Sequence, residues 1–412
     1  MRIFAINRFY RPDHSATSQM LTDLAQYLAA SGADVHIVTS RGLYEGGQRL
    51  GSREYVGGVH VRRIWTSRFG RTWLPGRMCD YATFYLSAFL ALVTTLRSGD
   101  LLIAKTDPPL ISVVAAFACK LKGAVLVNWC QDLFPEVAAA LGLKWAAKWP
   151  GAALRRLRNW SLKAATLNVA VHERMAEELE RAGLTRETII VLPNWADRDI
   201  KPLTHAANTR RSDWRLQDRV VFGYSGNLGR AHMPEKVADL VKRTSDIPGL
   251  AWLFIGGGHG YEALKRATAG LDNIFFKPYQ PRKDLSATLS VPDIHLVSLD
   301  PQCEGFIVPS KLYGVLAAGR PVLFMGDSDG AVARDIRQIN AGWVLDPEQP
   351  ASWRSTVARL LEQPGARPCA GIEWTALGSE STALSKWSDA LNRSVAGRPI
   401  RSDSLIRERR VL

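Results

Sequence analysis

The 412-residue chain has little of what marks a secreted or zinc-dependent protein. Its five cysteines are scattered, with no Cys-x-x-Cys pair and no His/Cys spacing typical of zinc ligands. An odd number of isolated cysteines favours a reducing compartment over a disulfide framework. We therefore expect free thiols and no structural metal site.

The sequence also lacks a recognisable targeting segment. The opening residues, MRIFAIN, have no charged stretch followed by an apolar core, and they predict a strand rather than a secretion signal. The longest apolar run, 81–96, is shorter than the roughly 20 residues that span a bilayer. We interpret it as a buried or interfacial helix, and we expect a cytoplasmic protein with peripheral membrane contact.

Two common nucleotide-binding signatures are missing. There is no G-x-x-x-x-G-K-[ST] sequence, which disfavours a P-loop NTPase. The glycine loop 256–260 is not G-x-G-x-x-G, because Tyr261 occupies the position of the last glycine. No acidic residue follows at the end of the next strand, so a dinucleotide cofactor is disfavoured.

What the chain has in excess is positive charge: 53 Lys and Arg against 39 Asp and Glu, a net charge of +14. This excess predicts a polyanionic partner, which can be nucleic acid, anionic lipid or a phosphate-rich ligand. The sequence has no interleaved aromatic and basic RNA-binding signature and no recognised DNA-binding motif. A nucleic-acid-binding protein is therefore kept only as an alternative, and we expect no nucleic acid partner.

Short β-branched runs alternate with helical patterns along most of the chain, which predicts α/β domains with doubly wound parallel sheets. The predicted strands are 2–7, 35–40, 59–65, 101–105, 125–130, 167–172, 189–193, 220–225, 251–255, 274–277, 294–298 and 321–325. An irregular, proline-bounded segment at 193–203 is interpreted as a linker. We predict two Rossmann-like domains facing a central cleft, 1–203 and 204–373, then a helix at 374–396 that crosses back to the first domain and a basic tail at 397–412.

The first motif is Gly226-Asn227-Leu228-Gly229-Arg230, between a predicted strand and a predicted helix that begins at Pro234. Glycines let a backbone approach a phosphate closely, and a helix N-terminus presents free N–H groups. Arg230 and Lys236 add cationic donors. The alternative is an ordinary strand–helix turn with surface charges.

The second motif is the segment 304–322, EGFIVPSKLYGVLAAGRPV. Pro309 can open a helix and Gly319 can close it. Ser310 and Lys311 then lie at the positive end of the helix dipole, and Gly305 precedes them in a loop with room for a diphosphate.

Together these segments resemble the family-4 retaining glycosyltransferases, especially the bacterial branch that builds capsule, O-antigen or exopolysaccharide. Residues 309–321 match the PSKxYxxxAAGxP form of that branch, and the GNLG turn and the FIGGG strand end occur in the same order. The opening FYRPDHSATSQM and the LPNWAD segment resemble the first loop and the linker of the family. The resemblance covers roughly residues 1–392.

The resemblance implies a GT-B fold with an acceptor domain first and a nucleotide-sugar domain second. It implies transfer from a nucleoside-diphosphate-sugar to a polyprenyl-linked glycan acceptor, on the inner face of the cell membrane, with anomeric retention and no metal or other cofactor. Backbone N–H groups and cations would stabilise the diphosphate leaving group. By position, the implied donor-binding residues are Gly226, Asn227, Gly229, Arg230, Lys236, Gly258, Lys277, Tyr279, Gly305, Ser310, Lys311 and Tyr313.

The sequence departs from the family pattern at two positions. Gly314 stands where most members place a second Glu that binds the donor ribose, so ribose recognition must differ. Gln131 stands where many members carry a His near the reaction centre; its amide can donate a hydrogen bond but is not a useful base. The next residue, Asp132, either orients an acceptor hydroxyl or caps the following turn. Candidate catalytic residues are Gln131, Asp132, Arg230 and Lys311.

Other polar segments have two interpretations. His14, Ser15 and Thr17 precede or open the first predicted helix, where they either contact acceptor or donor phosphates or supply an N-cap. The DxD strings at 197–199 and 327–329 resemble metal motifs of the other glycosyltransferase fold. Both strings lie in turn-like contexts without further ligands nearby, so we expect no bound metal.

The stretch 144–163 contains six cations and no acid. Lys144 and Lys148, and likewise Trp145 and Trp149, are four residues apart and would share a helix face. Tryptophans beside cations suit an anionic membrane surface. The predicted membrane-facing residues are Trp145, Lys148, Trp149, Arg155, Arg156 and Arg158. The alternative is a solvated basic face with tryptophans in the core.

Two further functions remain open at this point. A nucleotide-sugar epimerase would use the same fold. A non-catalytic nucleotide-sugar-binding protein is suggested by the departures at Gly314 and Gln131.

Overall fold

The computed structural model describes residues 1–13, 15–43, 49–70, 73–362 and 379–396. They form two compact units, Met1–Pro193 together with the chain from Ser381 onward, and Asn194–Glu380. The units divide at Pro193 rather than at 203. Ala196 and Ile200, in the segment interpreted as a linker, are buried in an apolar cluster with Leu289 and Tyr313 of the second unit.

The first unit contains an eight-stranded sheet in the order β3-β4-β2-β1-β5-β6-β7-β8. Every neighbouring pair is parallel except β3 and β4. The edge strand β3 was not predicted, because its residues, REYV, are largely exposed and show no apolar alternation. The strands are β1 (Arg2–Ile6), β2 (Asp34–Ser40), β3 (Arg53–Val56), β4 (Val59–Ile64), β5 (Leu101–Lys105), β6 (Val125–Cys130), β7 (Leu167–Ala170) and β8 (Ile189–Val191).

Helices connect these strands and close the unit at its C-terminal end. They are α1 (Ala16–Ala30), α2 (Leu74–Thr95), α3 (Ile111–Lys122), α4 (Glu136–Ala140), α5 (Lys144–Ala147), α6 (Trp149–Lys163) and α7 (Glu173–Arg181). The final helix of the described chain, Glu380–Val395, places the Trp387 ring 4.4 Å from the ring of Trp129 on β6. The start of the predicted helix 374–396 and the tail 397–412 lie outside the described residues.

Helix α2 is longer than the apolar run that predicted it. It starts at Leu74, where Pro75 fits the first turn because proline needs no N–H partner there. Its 22 residues make it the one described helix that is long and apolar enough to cross a membrane, by length and composition alone. One face of α2, including Phe84, Ala88 and Leu92, packs into the core of the unit.

The helix expected to place Lys144 with Lys148, and Trp145 with Trp149, on shared faces is broken. Lys148 has extended backbone between α5 and α6, and Pro150 opens the second helix. Gly151 permits the sharp turn, because a Cβ there would lie 1.8 Å from the carbonyl oxygen of Ala146. Residues four apart across this break therefore do not share one helix face.

The second unit contains a six-stranded parallel sheet in the order β11-β10-β9-β12-β13-β14. Its strands are β9 (Val220–Asn227), β10 (Leu250–Gly257), β11 (Ile274–Lys277), β12 (Ile294–Ser298), β13 (Val322–Met325) and β14 (Gly342–Leu345). Its helices are α8 (Thr209–Asp213), α9 (Pro234–Thr244), α10 (His259–Ala267), α11 (Leu285–Leu289), α12 (Lys311–Ala317), α13 (Ala331–Gln338) and α14 (Trp353–Glu362). The final helix, Glu380–Val395, whose residues from Ser381 onward belong to the first unit, is labelled α15.

Each sheet has one point where the strand order reverses. In the first sheet the chain runs from β1 outward to β2, and β5 then joins the other side of β1. In the second sheet β10 and β11 lie on one side of β9 and β12 lies on the other. Ligands of open α/β sheets bind outside the carboxyl ends of the strands at such switch points. The residues that follow β1, β5, β9 and β12 are therefore the ones to examine.

Candidate functional site

The switch point of the second sheet lies beside the GNLG turn. Strand β9 continues to Asn227, two residues past the predicted end, and its last residues pair with the two glycines that end β10. Leu228 N–H donates to the Gly257 carbonyl over 2.8 Å. The two predicted glycine segments therefore form one surface at the carboxyl edge of the sheet.

Glycine is required in this surface because the two loops approach so closely. A Cβ at Gly256 would lie 2.3 Å from the Gly226 carbonyl oxygen, and one at Gly258 would lie 2.0 Å from Asn227 Oδ1. Gly258 also has a φ of +112°, which side chains rarely adopt. Glycines were expected here to let the backbone approach a phosphate closely. In the structure, their missing side chains first of all allow the two segments to pack against each other.

Lys311 reaches this surface from the loop that follows β12. Its Nζ donates to the Tyr224 hydroxyl and lies 3.4 Å from the Asn227 carbonyl oxygen and 3.9 Å from the centre of the Tyr224 ring. Desolvation lowers the pKa of Lys311; the side chain is only partly buried, so contact with water limits this effect. Its nearest partners are neutral, so its charge is not cancelled by them. The structure thus brings the 309–311 segment and the GNLG turn together.

The neighbours of Lys311 in its own motif differ in exposure. Ser310 is exposed at the N-cap position of α12, without a side-chain capping bond, and Gly305 is buried with a φ of +82°. Arg230 is exposed beyond the GNLG turn, and in the described part of the chain its guanidinium has no ion pair. Lys311 and Arg230 are thus the cations available to an anion near this turn.

Tyr224 and His232 belong to the same surface but were not predicted. The His232 ring nitrogen Nδ1 lies 2.5 Å from the Ser298 carbonyl oxygen, and Ser298 Oγ donates to the His232 carbonyl, so the pair ties the β9 loop to the end of β12. Burial and the nearby Lys311 cation lower the pKa of His232 to about 3. A neutral ring that donates through Nδ1 leaves Nε2 as an acceptor. Tyr224 follows Phe222 by two residues on β9 and shares its buried face, so in the sequence it resembles an ordinary core residue.

Two predicted donor-binding residues are engaged elsewhere. Lys236 Nζ donates to the Pro347 carbonyl over 2.9 Å and pairs with Glu348 at 3.3 Å, so its charge is already compensated. Tyr313 is buried among apolar side chains, its hydroxyl bonds the backbone of Asn194, and burial raises its pKa. Lys236 and Tyr313 thus have structural partners, which argues against the donor-binding roles predicted for them.

The end of β11 contributes an aromatic side chain beside the glycine loop. The Tyr279 ring is half exposed, and its Cε2 atom would lie 3.1 Å from a Cβ at Gly257. Lys277 directs its Nζ toward the Trp214 ring, 5.4 Å from the ring centre. Tyr279 therefore lies next to the GNLG surface, whereas Lys277 is partnered by Trp214.

Position 314, where most family members bind the donor ribose with a carboxylate, is occupied by a glycine among apolar side chains. A Cβ at Gly314 would lie 3.5 Å from Leu289 Cδ1 and 3.6 Å from Ile200 Cδ1, which makes that position apolar. The nearest upstream carboxylate, Glu304, accepts the Ala331 N–H at the start of α13 over 2.7 Å. Ribose recognition through a carboxylate at 314 is thus excluded in this chain.

The DxD strings fold into local turns. Asp327 Oδ1 accepts the Asp329 N–H over 3.0 Å, and Asp197 pairs with Arg282 at 2.6 Å. Across the described ranges, no group of three His, Cys, Asp or Glu side chains is placed to hold a metal ion.

At the switch point of the first sheet, β1 and β5 are joined by a bond from Arg8 N–H to the Asp107 carbonyl. The following strand, β6, ends beside them, and Gln131 N–H donates to Thr106 Oγ1 over 3.2 Å. Gln131 is buried and Asp132 is exposed. Pro135, not Asp132, occupies the N-cap position of α4, so Asp132 is not the N-cap of that helix.

A buried lysine near Asp132 was missed by the sequence analysis. Lys105 is fully buried at the end of β5, its Nζ lies 3.4 Å from the centre of the Trp129 ring, and within the described structure it has no hydrogen-bond partner. Desolvation lowers its pKa well below the ordinary value. Desolvation and Asp107 raise the pKa of Asp132 to about 6, while Lys105 opposes that rise. Because Asp132 is open to solvent, we expect water to reduce the effect.

The loop before α1 is only partly described. His14 lies outside the described residues. Ser15 occupies the N-cap position without a side-chain capping bond, and its N–H donates to Asp13 Oδ1 over 2.8 Å. Thr17 is half-buried in the first turn. Ser15 thus stands at the N-cap position, as one of the two interpretations expected, but its side chain does not make a capping hydrogen bond.

The predicted membrane-facing residues fall into two groups. Trp149 is 79% exposed and Trp145 is 39% exposed, and Lys148 and Arg156 are also exposed. Arg155 donates to the Ala146 carbonyl and is half-buried. Arg158 is buried and pairs with Glu136 at 2.5 Å, so its assignment to a membrane face was wrong.

Comparison with known proteins defines the class. The glycosyl transferase 4-like domain matches residues 15–195. Over 337 residues, 77% of this chain and 82% of the relative, the protein is 26% identical to the putative colanic acid biosynthesis glycosyl transferase WcaI of Escherichia coli K12. It is 24% identical over 280 residues to the probable glycosyltransferase WbjE of Pseudomonas aeruginosa, covering 66% and 68% of the two chains.

Solved structures agree on the fold. Anabaena Alr3699/HepE, solved in complex with UDP-glucose, superposes with a TM-score of 0.70 at 14% identity, over 95% of this chain and 99% of that one. The two parallel α/β units are those of the GT-B fold, as predicted, and the protein is a glycosyltransferase. More narrowly, residues 15–195 are similar to the glycosyl transferase 4-like domain, which agrees with the family that the sequence motifs resemble.

Proposed function

We propose that this glycosyltransferase transfers a sugar from a nucleoside-diphosphate-sugar to a polyprenyl-linked glycan in bacterial surface polysaccharide synthesis, with retention at the anomeric carbon. The observation that carries the donor assignment is the position of Lys311. Its ammonium group lies at the switch point of the second sheet, against the Asn227 carbonyl and the Tyr224 hydroxyl. Retention and the lipid-linked acceptor rest on the family resemblance and on the pathway named for WcaI.

In this proposal the diphosphate of the donor binds beside the GNLG turn. The bond between the anomeric carbon and the diphosphate oxygen breaks, and the oxygen keeps the electron pair. A bond forms from the acceptor hydroxyl oxygen to that carbon, and the hydroxyl proton passes to the departing diphosphate oxygen. Lys311 and Arg230 stabilise the charge that develops on the leaving diphosphate. Lys236 faces the carboxylate of Glu348, whereas Lys311 is contacted by the neutral Tyr224 and Asn227, so the bound diphosphate itself supplies the negative charge that favours its protonated form.

The roles of Tyr279 and Asp132 in this proposal rest on the exposure of their side chains to solvent. Tyr279 offers a half-exposed ring beside Gly257 on which the nucleotide base stacks. Asp132 accepts a hydrogen bond from the acceptor hydroxyl at the edge of the first sheet. No metal ion takes part, since phosphate charge is met by side chains. We place the protein on the inner face of the cell membrane, where a lipid-linked acceptor is available.

The donor assignment is tested by comparing two lysine variants. Lys311→Met is expected to lower turnover by about 10²-fold, the usual cost of one missing transition-state donor. Lys236→Met is the matched control and is expected to keep turnover within about twofold, because its ammonium is paired with Glu348. A thermal-shift screen against UDP-, GDP- and dTDP-sugars identifies the nucleotide used in the assay. Equal turnover of the Lys311 variant and the wild type would remove Lys311 from the site.

The stereochemical part has its own measurement. NMR coupling constants of the new glycosidic linkage are compared with those of the donor sugar. The same anomeric configuration in both supports retention, and an opposite configuration in the product contradicts it. Release of free epimerised sugar without an acceptor would instead favour an epimerase.

A further inference from the structure

The exposed apolar side chains of this protein are concentrated in one unit. Of the 17 large hydrophobic side chains exposed in the described structure, 16 belong to the first unit and the exception is Tyr279. Isolated exposed apolar residues are common, but contiguous groups mark a binding surface. The distribution therefore directs attention to the helices of the first unit.

Helix α2 carries an outward stripe of apolar residues. Leu74, Met78, Leu86 and Leu90 are spaced at multiples of four residues and are each more than half exposed. Residues at this spacing lie on one face of a helix. From residue 81 to its end, α2 contains no charged residue. A solvent-facing helix surface is ordinarily polar, so this face lacks a partner.

The neighbouring helix carries a second pair of exposed apolar residues. On α3, Phe117 and Leu121 are 50% and 68% exposed and again four residues apart. Helix α3 packs between α2 and α6, and the Phe117 ring lies 4.5 Å from the Trp160 ring of α6. We name the six residues Leu74, Met78, Leu86, Leu90, Phe117 and Leu121 the α2–α3 surface.

Positive charge borders this surface. Lys120 and Lys122 end α3, and the adjoining α5–α6 segment has no acid and exposes the cations Lys144, Lys148, Arg156 and Lys163. The one acid on α2, Asp80, is buried and accepts the N–H groups of Phe69 and Gly70. An apolar surface with a basic border complements an anionic bilayer. Two copies of this chain would instead bring their basic borders together.

We propose that the α2–α3 surface lies in the interface of an anionic lipid bilayer, with α2 parallel to the membrane plane. This rests on the proposed peripheral location and names the surface responsible. Helix α2 does not span the bilayer, because its opposite face, with Phe84, Ala88 and Leu92, forms part of the core of the unit. Removing it would expose that core to solvent.

The test is cosedimentation of the full chain with phosphatidylcholine vesicles, with or without phosphatidylglycerol. Wild type is expected to bind the anionic vesicles. The double variant Leu86→Ser with Leu90→Ser is expected to bind at least about tenfold more weakly, because two apolar side chains no longer enter the interface. Tyr55→Ser is the matched control: Tyr55 is 66% exposed in the same unit but lies on β3, and vesicle binding should stay within about twofold.

A second measurement does not depend on those variants. Cys79 is exposed on α2, whereas Cys119, Cys130 and Cys303 are buried. In a Cys369→Ser background, an environment-sensitive fluorophore on Cys79 should shift to shorter wavelength when anionic vesicles are added. Absence of a shift while the protein sediments with vesicles would mean that another surface makes the contact.

Besides an unshifted fluorophore, three results would overturn the proposal. They are no binding of wild type to anionic vesicles, equal binding of the double variant, and a lipid-free dimer in sedimentation velocity that the double variant abolishes. Donor binding is followed in parallel by thermal shift and should be unchanged by the double variant. A wild type that binds vesicles but no nucleotide-sugar would contradict the proposed function and leave the membrane surface supported.

Discussion

Replacing Lys105 by Met should stabilise the first unit at neutral pH. The Lys105 amine is fully buried and lacks a hydrogen-bond partner in the described structure. Its contact with the Trp129 ring offsets part of the cost of burying it. A buried polar group without a partner costs about 1–3 kcal/mol, and a cation–π contact returns about 0.5–2 kcal/mol. Met has a similar length and no group to desolvate. We expect the variant to raise the free energy of unfolding by about 1 kcal/mol at pH 7.

The pH dependence distinguishes this cause from a change in packing. The folded pKa of Lys105 lies below its unfolded value of about 10.4, so the unfolded chain binds the proton more tightly. The resulting destabilisation of the wild type is present below the folded pKa and disappears as the pH rises toward about 10.4. Between those two pKa values, the advantage of the variant should shrink by up to about 1.4 kcal/mol per pH unit.

Urea denaturation of both proteins between pH 7 and pH 10 measures this difference. Lys120→Met, at an exposed position on α3, is the matched control and should change stability by less than about 0.5 kcal/mol. A destabilised Lys105→Met protein at pH 7 would refute the reasoning. So would an advantage that stays constant as the pH rises, since desolvation of a titrating amine would then not be its source.

Three other outcomes are expected. Gly151→Ala should lower the free energy of unfolding by about 1–3 kcal/mol in urea denaturation, because the new Cβ would meet the Ala146 carbonyl at 1.8 Å, whereas Gly42→Ala has open space and should not. His232, with its pKa lowered to about 3, should stay neutral from pH 5 to 8 in an NMR titration, and its burial should cost stability only as the pH falls below about 6.5; a midpoint near 6.5 would contradict this. EDTA should leave turnover unchanged, and inhibition reversed by magnesium would return the 327–329 string to consideration as a metal site.

The alternation of apolar runs determined most of the fold. Strands β5, β6 and β12 begin and end where the sequence predicts, because a buried parallel strand is a short apolar run whose limits depend on its own residues. The half-exposed edge strand β11 was also predicted with its observed limits, since its first three residues, IFF, are apolar. The edge strand β3 was missed because its exposed residues, REYV, lack such a run, and the short edge strand β14 was missed as well. Parallel topology then placed the GNLG turn and the 309–311 segment at one edge of the sheet.

Only the tertiary structure decided which charged groups remain available to bind a ligand. The sequence offered both Lys236 and Lys311 as phosphate ligands, yet in the structure Glu348 compensates Lys236, whereas Lys311 meets a tyrosine and a carbonyl. Arg158 likewise belongs to a basic run but pairs with Glu136. Local periodicity depends on neighbouring residues and can be read from the chain, whereas the partner of a charge comes from residues far away in sequence that only folding brings near.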